Sequence, residues 1–212
     1  MGVAKGGAGG HLRDFQTDQS GHDPVFSQIE SWLKADAERL RLLRVLADLQ
    51  LPDAWLAAGF VRNLVWDRLH GHAESTPLAD LDVIHFDATD CRPERDRSIE
   101  MTLAERAPGR PWSVKNQARM HLRNDDRPYR DCRDAMAHWP EMETALAARL
   151  TAEGELEVVS PFAQEGLLAL HLTPNPWRPR PEAFRQRLAT KGWLERWPRL
   201  QVRTDRLNDD QG

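Results

Sequence analysis

The chain has little of several things that would narrow its class at once. It carries two cysteines and one tyrosine in 212 residues. Cys91 and Cys132 stand far apart and form no metal-type pair, which leaves no disulfide framework; they read as reduced, cytoplasmic thiols. No apolar run approaches the roughly 20 residues that cross a membrane. An excess of positive charge is also missing: the formal net charge is −4, which excludes a general nucleic-acid coat and general DNA binding while leaving room for a local basic patch. The opening "MGVAKGGAGGHLRDFQTDQSGHD" has no apolar core of a signal peptide and no Ser or Thr where myristoylation needs one.

What remains is an ordinary globular composition, 40% hydrophobic and 29% charged. Residues 1–22, glycine-rich and polar, are expected to be a disordered leader, and 23–212 a single domain. Asp23-Pro24 offers an N-cap and a first helical residue. Phe26, Ile29 and Leu33, then Leu40, Leu43, Leu46 and Leu49, predict one or two amphipathic helices with a joint near Asp36. "AWLAAG" predicts a short strand closed by Gly59, and "FVRNLVWDRLHG" a helix ended by Gly71. "LADLDVIHFD" predicts a buried strand, and the stretch from Thr89 to Pro108-Gly109 a helix. "WSVKN" reads as a strand turning helical from Asn116, "DAMAHWPEM" as a short helix, and "TALAARLTAEGELEVVSPF" as a hairpin. The Pro-broken, Trp-rich tail holds one more helix from Glu182, with Trp193 and Trp197 packing a helix onto the sheet.

One feature of this pattern needs a cation. Asp80 and Asp82 share a face at the mouth of the apolar strand, so their charges repel unless a cation or a proton lies between them. Upstream, Gly59 lets the backbone approach a ligand, and the helix behind it presents unpaired N–H groups suited to phosphate. Arg62 and Asn63, in its first turn, would add a guanidinium fork and an amide donor. Asp80 and Asp82 would hold Mg²⁺ against those phosphates, because a hard cation bound partly through substrate takes carboxylate oxygens. Lys115, Asn116 and Arg119 could wall the same site, or present a solvated face.

The blocks "AGFVRNLVWDRLHG", "DLDVIHFD", "WSVKNQARMH" and "WP", in this order, closely resemble a bacterial family of nucleotidyltransferase-like proteins in the polymerase-β-type superfamily. The resemblance runs from about Leu51 to Leu200. It implies an α+β (α/β) fold with a small mixed β-sheet flanked by helices. It also sets Asp80 and Asp82 at the metal-binding carboxylate pair and Gly59 at the superfamily's glycine. Two positions depart from the pattern. Gly59 is followed by Phe60 rather than Gly or Ser, and the strand that should bring a third carboxylate reads "WSVKN"; Glu157 is the substitute candidate.

The expected activity is Mg²⁺-dependent transfer of a nucleoside monophosphate from an NTP to a hydroxyl of an unidentified acceptor, whether small molecule, RNA or protein. The alternative is a catalytically idle domain that binds nucleotide or a protein partner. A phosphoryl transfer using Asp80 as nucleophile is disfavoured because Ile84 stands where a hydroxyl residue is needed. In a purely structural reading, Asp80 caps its loop, Asp82 forms a buried ion pair with Arg62, and Asn63 pairs with Asp67 along the helix. His70 and His72 flank a glycine turn and show no metal-ligand spacing; His85 and His121 are more interesting by placement but are not expected to be ligands.

Overall fold

The computed structural model describes residues 23–204, so the expected leader lies outside the described residues. In chain order the elements are α1 (Pro24–Lys34), α2 (Ala37–Ala47), β1 (Trp55–Ala57), α3 (Gly59–His70), β2 (Leu81–His85), α4 (Pro93–Arg106) and β3 (Trp112–Asn116). There follow α5 (Gln117–Asn124), α6 (Cys132–Met136), a 3₁₀ turn (Met142–Thr144), β4 (Ala147–Leu150), β5 (Leu156–Val159) and α7 (Glu165–Leu168). The C-terminal part holds β6 (His171–Leu172), α8 (Pro181–Thr190), α9 (Trp193–Arg196) and β7 (Gln201–Val202).

The fold is α+β, as the sequence implies, around a five-stranded sheet in the order β3-β2-β1-β4-β5. It is mixed: β2 and β3 run parallel through the α4 crossover, and the other neighbours are antiparallel. The helix starts follow local capping. The Asp23 carboxylate accepts the Val25 amide, the expected joint at Asp36 caps α2 by accepting the Arg39 amide, and Asn116 caps α5 through the Ala118 amide. Among the short strands, the parallel pair β6–β7 has no signal in the sequence, because two-residue strands carry no periodicity. The "DAMAHWPEM" helix is shorter than expected and ends at Met136, before Pro140.

Alternation along the strands sorts the core onto two faces. Leu56, Leu81, Val83, Val114 and Ala148 pack against α1 to α4, while Trp55, Ala57, Ile84 and Ala147 meet Cys132, Met136 and Phe162 on the other side. Every residue of α3 from Gly59 to Asp67 is buried, polar ones included. That requires partners for Arg62, Asn63 and Asp67. Asp67 supplies its own: its carboxylate accepts the Trp197 indole N–H at 2.8 Å, the Thr76 amide at 2.8 Å and the Thr76 hydroxyl at 2.6 Å, with the His72 ring at 3.0 Å. It is not paired with Asn63. Trp193 and Trp197 pack on Trp66 of α3, at ring separations of 6.1 and 5.0 Å, within the core that also holds the sheet residues Leu56, Leu81 and Val83.

Asp67 thus ties α3, the 72–76 loop and the C-terminal tryptophans together. Replacing it by Ala strands a buried indole and a backbone amide, each costing on the order of 1–3 kcal/mol. Thermal and urea unfolding of Asp67→Ala should show a loss of at least about 2 kcal/mol; a loss under about 0.5 kcal/mol would remove Asp67 from this role.

Candidate active site

β1 is antiparallel to β2 with Leu56 opposite Val83, so the C-terminal end of β1 lies beside the N-terminal end of β2, where Asp82 sits. The chain must turn there from strand to helix within two residues. Ala58 makes the turn, at φ 51° and ψ −116°, a region that residues with a Cβ rarely occupy. Its N–H donates to the Leu146 carbonyl at 2.9 Å, and its own carbonyl accepts the Val61 and Arg62 amides at 3.2 and 2.9 Å. The unusual backbone at this turn thus belongs to Ala58 and not to Gly59. A Cβ on Gly59 would make only ordinary van der Waals contacts, with Arg62 Nη2 at 3.4 Å and Leu78 Cδ2 at 3.6 Å, so packing alone does not demand glycine there. No side chain caps α3, which leaves its first amides for a ligand.

Asp82 lies on the sheet face of Ile84, Ala57 and Ala147, at the edge where small side chains leave it half-buried. Neither Asp80 nor Asp82 accepts a hydrogen bond or an ion pair from any described residue. Burial, and then the neighbouring Asp80 charge, push the Asp82 carboxyl up to about 6, against the pull of Arg62, Lys191 and Lys115. Asp80 caps no loop amide, and the Asp82–Arg62 ion pair of the structural reading does not form. The two charges act on each other only through space.

Arg62 is held differently. Its guanidinium is buried, donates from Nε and Nη2 to Asn63 Oδ1 at 3.1 and 2.8 Å, and lies over the rings of Trp66 and Trp193 at 4.9 and 5.0 Å. Burial lowers its pKa to about 10; Glu141, and more weakly Asp82 and Asp80, oppose the fall, and Arg187 adds to it. Among the described residues Arg62 has no carboxylate in contact. The first turn of α3 thus offers a guanidinium and open amides beside two open carboxylates.

The remaining expected residues divide. Lys115 pairs with Ile84 in register, and its ammonium stands 3.9 Å from Glu100 while acting on Asp82 from a distance. Asn116 lies level with His85, about 10 Å along the strand from Asp82. It is fully buried, donates to the Asp87 and Asp90 carbonyls, and accepts the Asp87 and Ala118 amides. Arg119 pairs with Asp96, which also accepts the Asn116 amide and meets the His85 ring. Asn116 and Arg119 therefore tie β3 to α4 and α5, and the structure does not bring them to the two aspartates. Glu157 is no nearer: β1 and β4 separate it from β2, and it accepts Arg149 Nε at 2.7 Å. Among the described residues no group of three His, Cys, Asp or Glu side chains is placed to share a metal.

The sequence reading overlooked Glu141, Arg187 and Lys191. Glu141 is completely buried, taking Arg187 Nε at 2.6 Å and the Thr144 hydroxyl at 2.9 Å, and it counters the Arg62 charge. Arg187 in the last turn of α8 and Lys191, its C-cap, stand four apart, a helix-face spacing that could have flagged them.

Two outcomes follow from the local geometry. Ala58→Gly removes the Cβ from a strained turn and should stabilise the fold by about 1 kcal/mol in thermal unfolding; a destabilised variant would mean the turn is unstrained. Asp82→Asn has a pH-dependent signature. A carboxyl raised from 3.8 to about 6 binds more protons folded than unfolded, so wild-type stability is intact below pH 4 and lost as pH rises to 6, by about 3 kcal/mol at most. In chelator the Asn variant should match wild type at pH 4 and melt higher at pH 7. A variant less stable at pH 7 would make Asp82 a structural anion.

Comparison with known proteins gives the family and the fold. A family model described as "Nucleotidyltransferase" matches residues 44–202. A structure solved by NMR and described as revealing a CCA-adding enzyme head domain is similar at a TM-score of 0.74 with 34% identity, over 84% of this chain and 95% of that one. No match is found among curated proteins. With three quarters of its length matched, the chain belongs to this nucleotidyltransferase family and has the polymerase-β-type fold that its sequence implied.

Proposed function

We propose that the protein transfers a nucleoside monophosphate from an NTP to a hydroxyl acceptor with Mg²⁺, in the cytoplasm, where Cys91 and Cys132 stay as free thiols. One observation carries the reading: Asp80 and Asp82 are left without partners beside an uncapped helix start and a buried, unpaired Arg62. Two carboxylates with no third acid beside them among the described residues suit Mg²⁺, which keeps waters and completes its shell with substrate phosphates. When bound, the cation polarises the α-phosphate and makes the acceptor hydroxyl more acidic.

The chain's own residues do the rest. The α3 amides and the Arg62 guanidinium hold the β- and γ-phosphates, and Asn63 keeps the guanidinium oriented. Arg62 held between Trp66 and Trp193 loses little freedom when phosphate arrives. The acceptor oxygen forms a bond to the α-phosphorus as the bond from that phosphorus to the bridging oxygen breaks. Pyrophosphate leaves on the helix terminus, and the hydroxyl proton goes to water.

A second reading, a domain that binds nucleotide or a protein without transfer, draws on the lack, among the described residues, of a third acid around Asp80 and Asp82. Incubation with α-labelled NTPs, Mg²⁺ and cell extract separates the two. Transfer predicts metal-dependent pyrophosphate release and a labelled acceptor, both lost in Asp82→Asn, with Arg62→Lys raising KM at least ten-fold. Thermal stabilisation by Mg²⁺ and NTP with no label moved would leave binding as the function. No stabilisation and no label would end both nucleotide readings.

A further inference from the structure

Outside this site, the side of α6 that faces away from the sheet forms one wall of a groove of about 530 Å³, lined by Arg127, Arg130, Arg133, His138, Trp177 and Arg178 among others. Two buried carboxylates organise its arginines. Asp134 accepts Arg127 through Nη1 and Nη2 at 2.9 and 2.8 Å and Arg130 Nη2 at 3.2 Å. Asp126 pairs with Arg178 and, at 3.8 Å, with Arg180, and both arginines also donate to the Asn124 carbonyl at the end of α5. Arg133 donates Nε to the Ser160 carbonyl. Asp131, also in the lining, is spent as the N-cap of α6. Each carboxylate thus fixes a pair of guanidiniums, which leaves a local positive excess on a chain whose net charge is −4. The Arg127 and Arg130 side chains remain 55% and 77% exposed, with N–H groups still to give.

Trp177 is 67% exposed in the same groove, although the other large tryptophans named above are buried. It is not loose. Its amide donates to Asn175 Oδ1 at 2.8 Å, and Asn175, fully buried, donates to the Ala137 and Trp139 carbonyls. The indole rests against Phe162 at a ring separation of 4.7 Å. An indole held out in water among fixed guanidiniums is an arrangement that stacks a base and contacts its flanking phosphates.

We propose that this groove binds single-stranded nucleic acid. The guanidiniums take successive phosphates and Trp177 takes a base face, so recognition is tolerant of sequence. An acidic peptide would satisfy the arginines and leave the indole in water, and a duplex hides its base faces from Trp177. Binding itself does not depend on transfer.

The test is fluorescence anisotropy with a labelled oligonucleotide of about eight nucleotides, in EDTA and without NTP, over a salt series. Wild type should bind, with affinity falling as salt rises. Trp177→Ala should weaken binding roughly ten-fold or more, and Arg130→Gln should weaken it and flatten the salt dependence by about one phosphate's share. Both side chains are exposed, so the melting temperatures should hold. Asp82→Asn should bind as wild type does, which separates this proposal from the transfer reading. Unchanged binding in Trp177→Ala, or equal binding of a duplex or of poly-glutamate, would overturn it, as would no binding at low salt.

Discussion

Two like charges half-buried at the start of β2, with no counter-ion in contact, are the constraint to which the rest of the structure answers. Asp82 beside Asp80 raises the energy of the ionised state, and no described residue closes on either carboxylate. A positive field from Arg62, Lys191 and Lys115 moderates the cost from a distance. Arg62 is prevented from collapsing onto the aspartates because Asn63 takes two of its donors and two indoles hold its plane. Had the charges met, the ion pair would be stable and the site closed to a cation and a phosphate alike.

Keeping charges apart in a protein interior needs a rigid surround, and α3 supplies it with a division along its length. Its first turn is uncapped and faces the aspartates, while its second half is fixed by Trp66 against Trp193 and Trp197 and by Asp67 against the 72–76 loop. Buried Glu141, paired with Arg187, counters the Arg62 charge without touching it, while Arg187 itself opposes that charge. The C-terminal region, which contributes little to the main sheet, thereby becomes a wall of the site.

Carboxylates elsewhere in the chain show the opposite use of the same chemistry. Asp96 is filled by Arg119, the Asn116 amide and the His85 ring, and burial notwithstanding these partners hold its pKa down to about 2. Asp134 and Asp126 each hold a pair of arginines in place. The contrast with Asp80 and Asp82 lies in satisfaction rather than in residue type, and satisfaction is a property of what lies across space.

Local chemistry made a good part of this legible in the linear sequence. The caps at Asp23, Asp36 and Asn116 act within three residues of themselves, and the hairpin and the strand at Val83 announce themselves by alternation, so these elements and the mixed α+β fold could be read directly. The spacing of Asp80 and Asp82 and the helix after Gly59 likewise bring carboxylates and amides to one end of a strand. Which polar residues near that end stay open could not be read, because it depends on partners far along the chain. Asn116 and Arg119 have donors fit for phosphate, and only the arrival of Asp87, Asp90 and Asp96 spends them on structure. Glu157 has the right charge on a strand with two others between it and β2. The strain at Ala58 arises because a strand hydrogen-bonded to Leu146 must become a helix at once. Sequence by itself determined most of the elements, though not the β6–β7 pair, and the placing of the two carboxylates, since those rest on neighbours within a few residues; tertiary structure alone decided which charges are answered and which are left for a ligand, since a buried group's partners are set by packing across the whole chain.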